Sequence, residues 1–465
     1  MAGILWALEA ALVGCLLAWR FGGFRDLRPA WAAALLIVGS GTAGGFGITS
    51  CLFFLCRLLM PTEPALPMFL EIALAAWLAF EIYRRRKRTP SVQPAARPSY
   101  GNLALAAILI AALLIAVAGM SGPWKAMPHG NWDAWAIWNL RARFLAAAGD
   151  FGHRAWSPAL DFAHPEYPLL VSAFVARCWT FAGSVTQEVP QAVSLLFFLA
   201  LVVTGVGGVA VLRGGKLGLL FGIVLAGTPF VLQEVPAQYA DIPLACYFAA
   251  ALVLILLDRP AAAGLFAGLA AWTKDEGSLF LVVFFLALAV FRRRNAGAAL
   301  AGVLPMLAIL LFYKFVLARG SSSLLAESAP GLLARLADVH RYGMVASAFA
   351  GEFQKMMVSG WYHPLWPLVV LAAGLGFARK HRSDLLLAGS VTAAMFVVYF
   401  FVYIGTGRDL RWHLNTSLYR LLVHLWPCLI LSIFAGLKPP EWSVTPPPPV
   451  APVTTSGAER SSGRR

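Results

Sequence analysis

The sequence is dominated by apolar stretches of about 18 residues or more, each long enough to cross a lipid hydrocarbon core of about 30 Å. Hydrophobic residues make up 60% of the 465 residues and charged residues only 13%, whereas a soluble protein carries about 25% charged residues. So few charges cannot cover a water-facing surface. We therefore predict an all-α polytopic membrane protein whose solvent is mostly lipid.

These apolar stretches predict about 13 transmembrane helices. The first stretch has no basic segment before it, so we expect a retained span and not a cleaved signal peptide. The six cysteines lack zinc or redox spacing and are expected to be small buried hydrophobes. The expected spans are 4–19, 31–50, 66–83, 102–120, 190–212, 217–234, 240–257, 260–273, 277–291, 296–317, 364–378, 384–404 and 418–436.

Lysine and arginine concentrate on alternate loops, which gives the expected orientation. Cytoplasmic loops of membrane proteins are enriched in these residues, so we expect the basic loops to be cytoplasmic, the N-terminus outside and the C-terminus inside. The same rule accounts for the net charge of +15, so we expect a membrane and a lipid as partners and no nucleic acid. The basic loops contain residues 20–28, 84–97, 213–216, 259, 292–294, 379–382 and 438–465.

One apolar segment does not fit this alternation. If residues 166–183 crossed the membrane, the basic loop at 292–294 would lie outside, so we predict an interfacial or re-entrant helix on the outer side. The large outer loops are then about 121–189 and 318–363. The Pro-rich segment 437–465 has the composition of a disordered cytoplasmic tail.

Most of the 22 acidic residues fall on outer loops or outer helix ends. The insertion rule barely constrains Asp and Glu, so either a polar outer site or ordinary solvated loops can explain this asymmetry. The clearest segment is residues 130–138, GNWDAWAIW, in which three tryptophans surround Asp133. An interfacial aromatic belt explains the tryptophans but not the acid. An apolar surround raises the pKa of a carboxyl group and suits Asp133 to work as a general base.

Three further segments place charges where apolar helices begin. Two prolines bracket Glu166 in residues 164–168, and Asp241 opens the span at 240–257. Both patterns are also typical of an ordinary helix N-terminus. Residues 273–277 interrupt an apolar run and leave short halves on either side, so we expect Lys274 and its neighbours to lie below the membrane surface, where charge is usually functional.

The segment 407–420 carries basic residues on an outer loop, against the general trend. Arg408, Arg411 and Arg420 are the arginines of this segment, and Arg420 and His424 are four residues apart on one helix face. Arginine is suited to phosphate, so a bound anion is one interpretation. Pairing with the outer acids is the other.

At these residues the chain resembles the GT-C superfamily of integral-membrane glycosyltransferases, which includes protein O-mannosyltransferases and aminoarabinose transferases. Asp133 matches the acid early in the family's first large outer loop, Asp241 matches its second acidic motif, and residues 164–168 resemble its pre-helix motif. Thr273 and Lys274 resemble its short Thr-Lys turn. The resemblance covers about 100–436, and residues 1–99 add further transmembrane helices and a basic cytoplasmic loop.

The resemblance implies an inverting glycosyltransferase in the inner membrane of a bacterium, with a polyprenyl-phosphate-linked sugar as donor on the periplasmic side. Asp133 would be the catalytic base, and Glu166 and Asp241 would orient acceptor or donor hydroxyls or hold a divalent cation. Lys274, Arg408, Arg411 and Arg420 would bind the carrier phosphate. Mg²⁺ or Mn²⁺ would suit such a site, although no ligand spacing requires a metal and none is assigned.

The chain departs from the family in having one acid, not a pair, in the first motif and in lacking an acceptor-sequon motif, which argues against oligosaccharyltransferase activity. A transporter or lipid flippase is an alternative, but we find no internal repeat between the halves of the chain. An O-antigen-type polymerase or ligase is another, but its hallmark is a dominant outer loop late in the chain. Here the loop richest in motifs comes early.

Overall fold

A computed structural model of the chain describes residues 1–86, 99–147, 154–318, 329–358 and 365–440. The described residues form eighteen α-helices and no β-strand, as expected for an all-α membrane protein. Part of the predicted basic loop at 84–97 and most of the predicted tail lie outside the described residues. The helices are α1 (Ala2–Phe21), α2 (Ala30–Leu59), α3 (Leu66–Arg86), α4 (Tyr100–Ala126), α5 (Asn139–Ala146), α6 (Leu170–Ala182), α7 (Glu188–Arg213), α8 (Gly215–Ala226), α9 (Pro229–Ala237), α10 (Asp241–Leu256), α11 (Pro260–Thr273), α12 (Asp275–Phe291), α13 (Ala296–Phe312), α14 (Ala329–Ala337), α15 (Val339–Val358), α16 (Leu365–Leu375), α17 (Arg382–Gly405) and α18 (Leu410–Gly436).

Fewer helices are long enough to span a membrane than the sequence predicts. Among the described residues, eight helical segments are long and apolar enough to cross a membrane. A ninth exists if α8 and α9, which meet at an angle of 62°, form one bent span. The remaining predicted spans include α10 with 16 residues, α11 with 14 and α16 with 11. At 1.5 Å per residue these helices are shorter than the roughly 30 Å of a hydrocarbon core, so the count of 13 is not confirmed.

Small residues allow the helices to approach one another closely. A Cβ atom added to Gly14 of α1 would lie 1.9 Å from the carbonyl oxygen of Gly41 in α2. A Cβ on Gly264 of α11 would lie 1.9 Å from the carbonyl oxygen of Ala299 in α13. Such contacts are typical of helix pairs in membranes, where close van der Waals packing stabilises association.

Helix α10 forms the centre of the bundle. Every residue from Asp241 to Leu256 is buried, and the helix packs against α7, α11 and α18. A helix covered on all sides by protein does not need a full membrane-spanning length, because its ends can meet polar side chains and not lipid. The amino-terminal end of α10 is therefore free to hold charge.

Five of the predicted basic loops, those at 20–28, 213–216, 259, 292–294 and 379–382, lie at one end of the bundle. Arg259 donates to the carbonyl of Gly23 at 2.8 Å, and Asn295 donates to Asp258 at 2.7 Å. Arg213 and Arg292 both contact Asp384, at 2.6 and 2.8 Å. Helices α10, α11 and α12 each have one end at these loops, so Asp241, Lys274 and Asp275, at their other ends, lie away from the basic loops.

Helix α6 covers the segment for which the sequence predicts no crossing. It begins at Leu170, later than the predicted start at 166, and its 13 residues extend over about 20 Å. Residues 170–179 are all buried, among α1, α2, α5 and α7. Other helices therefore cover most of α6, and its length is less than the roughly 30 Å of a hydrocarbon core. This length agrees with a helix that does not cross the membrane, and the choice between an interfacial and a re-entrant helix stays a prediction.

Candidate functional site

Backbone and amide hydrogen bonds hold the loop before Asp133 against the turn before Asp241. The amide of Asn131 donates to the carbonyl of Ala237 at 3.1 Å, and Gln238 Nε2 donates to the carbonyl of Pro128 at 3.2 Å. Gly130 has φ +76°, and a Cβ there would lie 2.6 Å from the Ala237 oxygen, so this approach favours glycine. Two segments that are distant in sequence thus become neighbours.

Arg420 of α18 joins the two acids that these segments carry. Its Nη1 contacts Asp133 Oδ2 at 2.7 Å, and its Nη2 and Nε contact Asp241 Oδ2 at 2.7 and 3.1 Å. The guanidinium also lies 4.1 Å from the ring centre of Tyr239, a cation–π geometry. The planar fork of arginine can bind two carboxylates through separate nitrogens, which a lysine ammonium does not reproduce.

Asp241 is the buried centre of this arrangement. Its side chain has 0% exposure, and Oδ1 accepts from Lys274 Nζ at 3.1 Å and from His424 Nε2. With Nε2 donating, the neutral His424 ring accepts at Nδ1 from the hydroxyl of Tyr399 at 3.2 Å. Both oxygens of Asp241 are therefore occupied by cations and by a histidine. We call Asp133, Asp241, Lys274, Arg420 and His424 the Asp241 cluster.

Several carboxylates near Asp241 are less completely buried than Asp241 itself. Lys274 also contacts Glu276 at 3.0 Å, and the Glu276 side chain is 17% exposed. The Asp133 side chain is 23% exposed and that of Asp275 is 36% exposed. Asp133 and Asp275 are therefore more accessible than Asp241.

Glu166 belongs to a second cluster beside the first. Its Oε1 accepts from His164 Nδ1 at 2.8 Å, while its Oε2 is buried without a partner among the described residues. Lys314 donates to the backbone carbonyl of Glu166 at 2.6 Å and to the Asp275 carboxylate at 2.5 Å. We call His164, Glu166, Asp275 and Lys314 the Glu166 cluster.

A buried arginine positions the backbone of the Glu166 cluster. Arg141 of α5 has 0% exposure and donates to the carbonyls of Ala155 and His164 at 2.8 and 3.2 Å. It also contacts the hydroxyl of Tyr313, which donates to the carbonyl of Pro165. His164 has φ +50°, an uncommon conformation for this residue type that these contacts stabilise.

Tyr167 stacks on His164 of the Glu166 cluster, with the ring centres 4.6 Å apart. Burial raises the pKa of its phenol well above the usual value, and the carboxylates of Glu276, Asp275, Glu166 and Asp133 raise it further. Acids from both clusters are thus close enough to act on one hydroxyl group. Lys274, which contacts Asp241, and Asp275, which contacts Lys314 beside Glu166, are consecutive residues, so the two clusters lie in one region.

The three arginines predicted to bind an anion occupy different environments. Arg420 is buried and held by two carboxylates. Arg408 is exposed, and its Nη2 lies 3.3 Å from Nε2 of His164. Arg411 is exposed on α18. The structure therefore brings Arg408 and Arg420 to the acids.

Sequence reasoning did not assign a role to several residues in or near the two clusters. Lys314 is a single charge near the end of a long apolar run, and an isolated charge of this kind indicates a functional residue. Glu276 stands two residues after Lys274 in the segment already considered. Glu234 is buried at 3% exposure with Oε2 unpartnered among the described residues, and nothing in its sequence context separates it from a surface acid.

No group of three or more His, Cys, Asp or Glu side chains suited to a metal ion occurs in the described parts of the chain. Glu166 and Asp241, the two acids considered as ligands, are engaged by His164 and by Arg420, Lys274 and His424. They do not form a joint ligand set. The cysteines are free thiols, and all except Cys15 are buried, as the sequence predicts.

Comparison with known proteins gives no relative for this chain: no family model, no curated protein and no solved structure matches it.

Proposed function

We propose that the chain is an integral-membrane glycosyltransferase of the GT-C type, located in a bacterial inner membrane. It would transfer a sugar from a polyprenyl-phosphate carrier to an acceptor on the periplasmic face, with inversion at the sugar. The observation that carries this proposal is the joining of Asp133 and Asp241 by Arg420, at the end of the bundle opposite the basic loops.

Asp133 is the better candidate for the general base. Arg420 holds one of its oxygens, and the side chain keeps 23% exposure, so the other oxygen can accept a proton from an acceptor hydroxyl. Asp241 has both oxygens occupied and 0% exposure. A carboxylate held in this way has low proton affinity, so Asp241 is assigned to orienting Arg420 and Lys274.

Glu166 is assigned to binding a hydroxyl group of the donor or acceptor. Its Oε2 is a buried acceptor without a partner in the described residues, and leaving such an atom unpaired costs free energy. A sugar hydroxyl would satisfy it. No step in this proposal passes through a divalent cation.

The carrier phosphate needs cations that are not already neutralised. Lys274 and Arg420 are each held by two carboxylates. Arg408 lies against His164, contacts no carboxylate among the described residues and is exposed, so it is the first candidate for the phosphate, with Arg411 three residues later at the start of α18. Arg420 would stabilise the leaving phosphate only if it contacts the phosphate as well as Asp133 or Asp241.

The proposal can be tested in cells by mass spectrometry of envelope glycans and of lipid carriers, with and without this chain. We expect loss of one glycan modification and accumulation of a carrier-linked sugar in its absence. Reintroducing the wild type or Glu188→Gln should restore the modification, because Glu188 is exposed at the start of α7 and belongs to neither cluster. Asp133→Asn should not restore it. Identical glycans and carriers with and without the chain would refute the proposal.

A further inference from the structure

A further buried ion cluster, separate from the Asp241 and Glu166 clusters, lies where α1, α3 and α6 meet. Glu9 of α1, Glu71 of α3 and Arg177 of α6 form it, and we call these residues the Arg177 triad. The side chains of Arg177 and Glu71 are 0% and 1% exposed, and that of Glu9 is 19% exposed. The proposed function uses none of the three.

Arg177 uses all of its nitrogens within the triad and its surroundings. Nε donates to both Glu71 oxygens, at 3.0 and 2.9 Å, and Nη2 contacts one oxygen of Glu71 and one of Glu9. Nη1 donates to the carbonyl of Trp6 at 2.9 Å. Glu9 and Glu71 therefore each place one carboxyl oxygen on the same nitrogen, Nη2.

The charges of the triad do not balance. Two ionised carboxyl groups against one guanidinium would leave a net negative charge in apolar surroundings. The other titratable groups that face the triad are the thiols of Cys178 on α6 and Cys56 on α2, and neither supplies a positive charge. An uncompensated buried charge is costly, and such a group normally takes up a proton.

One proton relieves this imbalance. Two carboxylates are acceptors only, whereas a carboxylic acid can donate a hydrogen bond as well. Glu9 and Glu71 meet at Nη2 of Arg177, so a proton held by the pair leaves one carboxylate for one guanidinium.

We infer that the Arg177 triad is a proton-binding site, which holds one proton between Glu9 and Glu71 at neutral pH and thereby docks α6 onto α1 and α3. This inference does not depend on what reaction the protein catalyses. Helix α6 directly follows the Glu166 cluster, and Ser172 of α6 donates to the carbonyl of Trp138 at 2.9 Å. The triad therefore holds the helix that supports both acid-bearing loops.

Proton binding makes the stability of the fold dependent on pH in a defined direction. In the unfolded chain a glutamate loses its proton near pH 4.3, whereas the folded triad retains one proton above that pH. Over that interval the folded state binds more protons than the unfolded state, so its stability falls as the pH rises. One such proton changes the folding equilibrium by about tenfold per pH unit.

Glu9→Gln provides the sharpest test, because glutamine has the shape of the protonated acid and cannot ionise. We expect the melting temperature of the wild-type protein to fall relative to that of Glu9→Gln as the pH rises from 5 through neutrality. Glu188→Gln, which removes an exposed acid on α7, should follow the wild type. A constant difference between wild type and Glu9→Gln across this pH range would overturn the inference.

Infrared spectroscopy reads the proton itself and needs no unfolding. The wild-type protein at pH 7 should show the carbonyl stretch of a protonated carboxyl group that shifts in D₂O and is lost in Glu9→Gln. Glu188→Gln should retain it. Absence of a band that differs between wild type and Glu9→Gln would contradict a shared proton, whatever the stability measurements show.

Discussion

At the scale of single residues, Arg420 holds several groups of the site in place. It contacts Asp133 through Nη1 and Asp241 through Nη2 and Nε, so it fixes two carboxylates and lies over Tyr239 at the same time. Removing one partner of a buried ion pair costs about 3–5 kcal/mol, because the remaining charge stays buried and unpaired. Substitution here should therefore affect both folding and chemistry.

We predict that Arg420→Lys keeps the charge but loses the bridge between the two acids. A lysine ammonium is a point charge and cannot present separate nitrogens to Asp133 and Asp241. The melting temperature should fall, and transfer should fall at least tenfold. Arg411→Lys, a change at an exposed position on the same helix, is the control. Equal activity and stability of Arg420→Lys and wild type would show that the bridge is unimportant.

We predict that Asp133→Asn abolishes transfer while it preserves binding of the carrier. The change keeps the shape of the side chain and removes the base, and a positioned general base contributes about 10²–10⁴-fold. Binding of a carrier-linked sugar and its transfer should be measured separately. If Asp133→Asn transfers normally while Asp241→Asn is inactive, the base is Asp241 and the present assignment is wrong.

At the scale of helices, α6 and α10 show why length matters more than apolar composition in this chain. Both are apolar, and both are too short to cross a hydrocarbon core of about 30 Å. Protein covers each of them on nearly all sides. They can therefore hold charges such as Arg177 within α6 and Asp241 at the start of α10, which lipid would not tolerate.

We predict that both ends of α6 lie on the same side of the membrane. Single cysteines at Ala159 and Ser184, which are exposed on either side of α6, should both react with a membrane-impermeant thiol reagent added from outside. The native thiols provide little background, because all except Cys15 are buried. Labelling of only one of the two positions would show that α6 crosses the membrane.

The sequence could predict the helical class, the alternation of basic loops and the acids that meet, because each depends on local composition. Asp133, Asp241, Lys274 and Arg420 stand out as charges at the ends of apolar runs, and the structure brings them together. The roles of Arg141 and Arg177 could not be predicted from the sequence. Their partners are Tyr313, Glu71 and Glu9, and long-range pairing leaves no periodic signal in an apolar sequence.

At the scale of the whole molecule, the amino-terminal helices belong to the same packed bundle as the site. Gly39 of α2 is in close contact with Thr204 of α7, since a Cβ there would lie 2.5 Å from the threonine hydroxyl. The Arg177 triad then connects α1 and α3 to α6. We infer that residues 1–86 support the site and do not form a separable addition.

The two ends of the bundle differ in charge, and this difference predicts which end faces the cytoplasm. The basic loops meet at one end and the two acid clusters lie at the other. We predict that Arg293→Cys reacts with an impermeant reagent only after the membrane is permeabilised, whereas Trp132→Cys reacts in intact cells. Labelling of position 293 from outside would reverse the orientation and place the acids in the cytoplasm.

We propose that the Asp241 cluster releases a sugar from a polyprenyl-phosphate carrier, and discharge of the carrier reports this step. The purified protein is placed in liposomes with carrier-linked sugars and acceptors extracted from cells that lack this protein, and the carriers are followed by mass spectrometry. We expect the wild type and Glu188→Gln to convert one carrier-linked sugar to free polyprenyl phosphate, with a matching mass gain in an acceptor, and we expect no conversion by Asp133→Asn. If folded wild-type protein leaves the carriers unchanged, or if Asp133→Asn discharges them at the wild-type rate, the Asp241 cluster does not have this role.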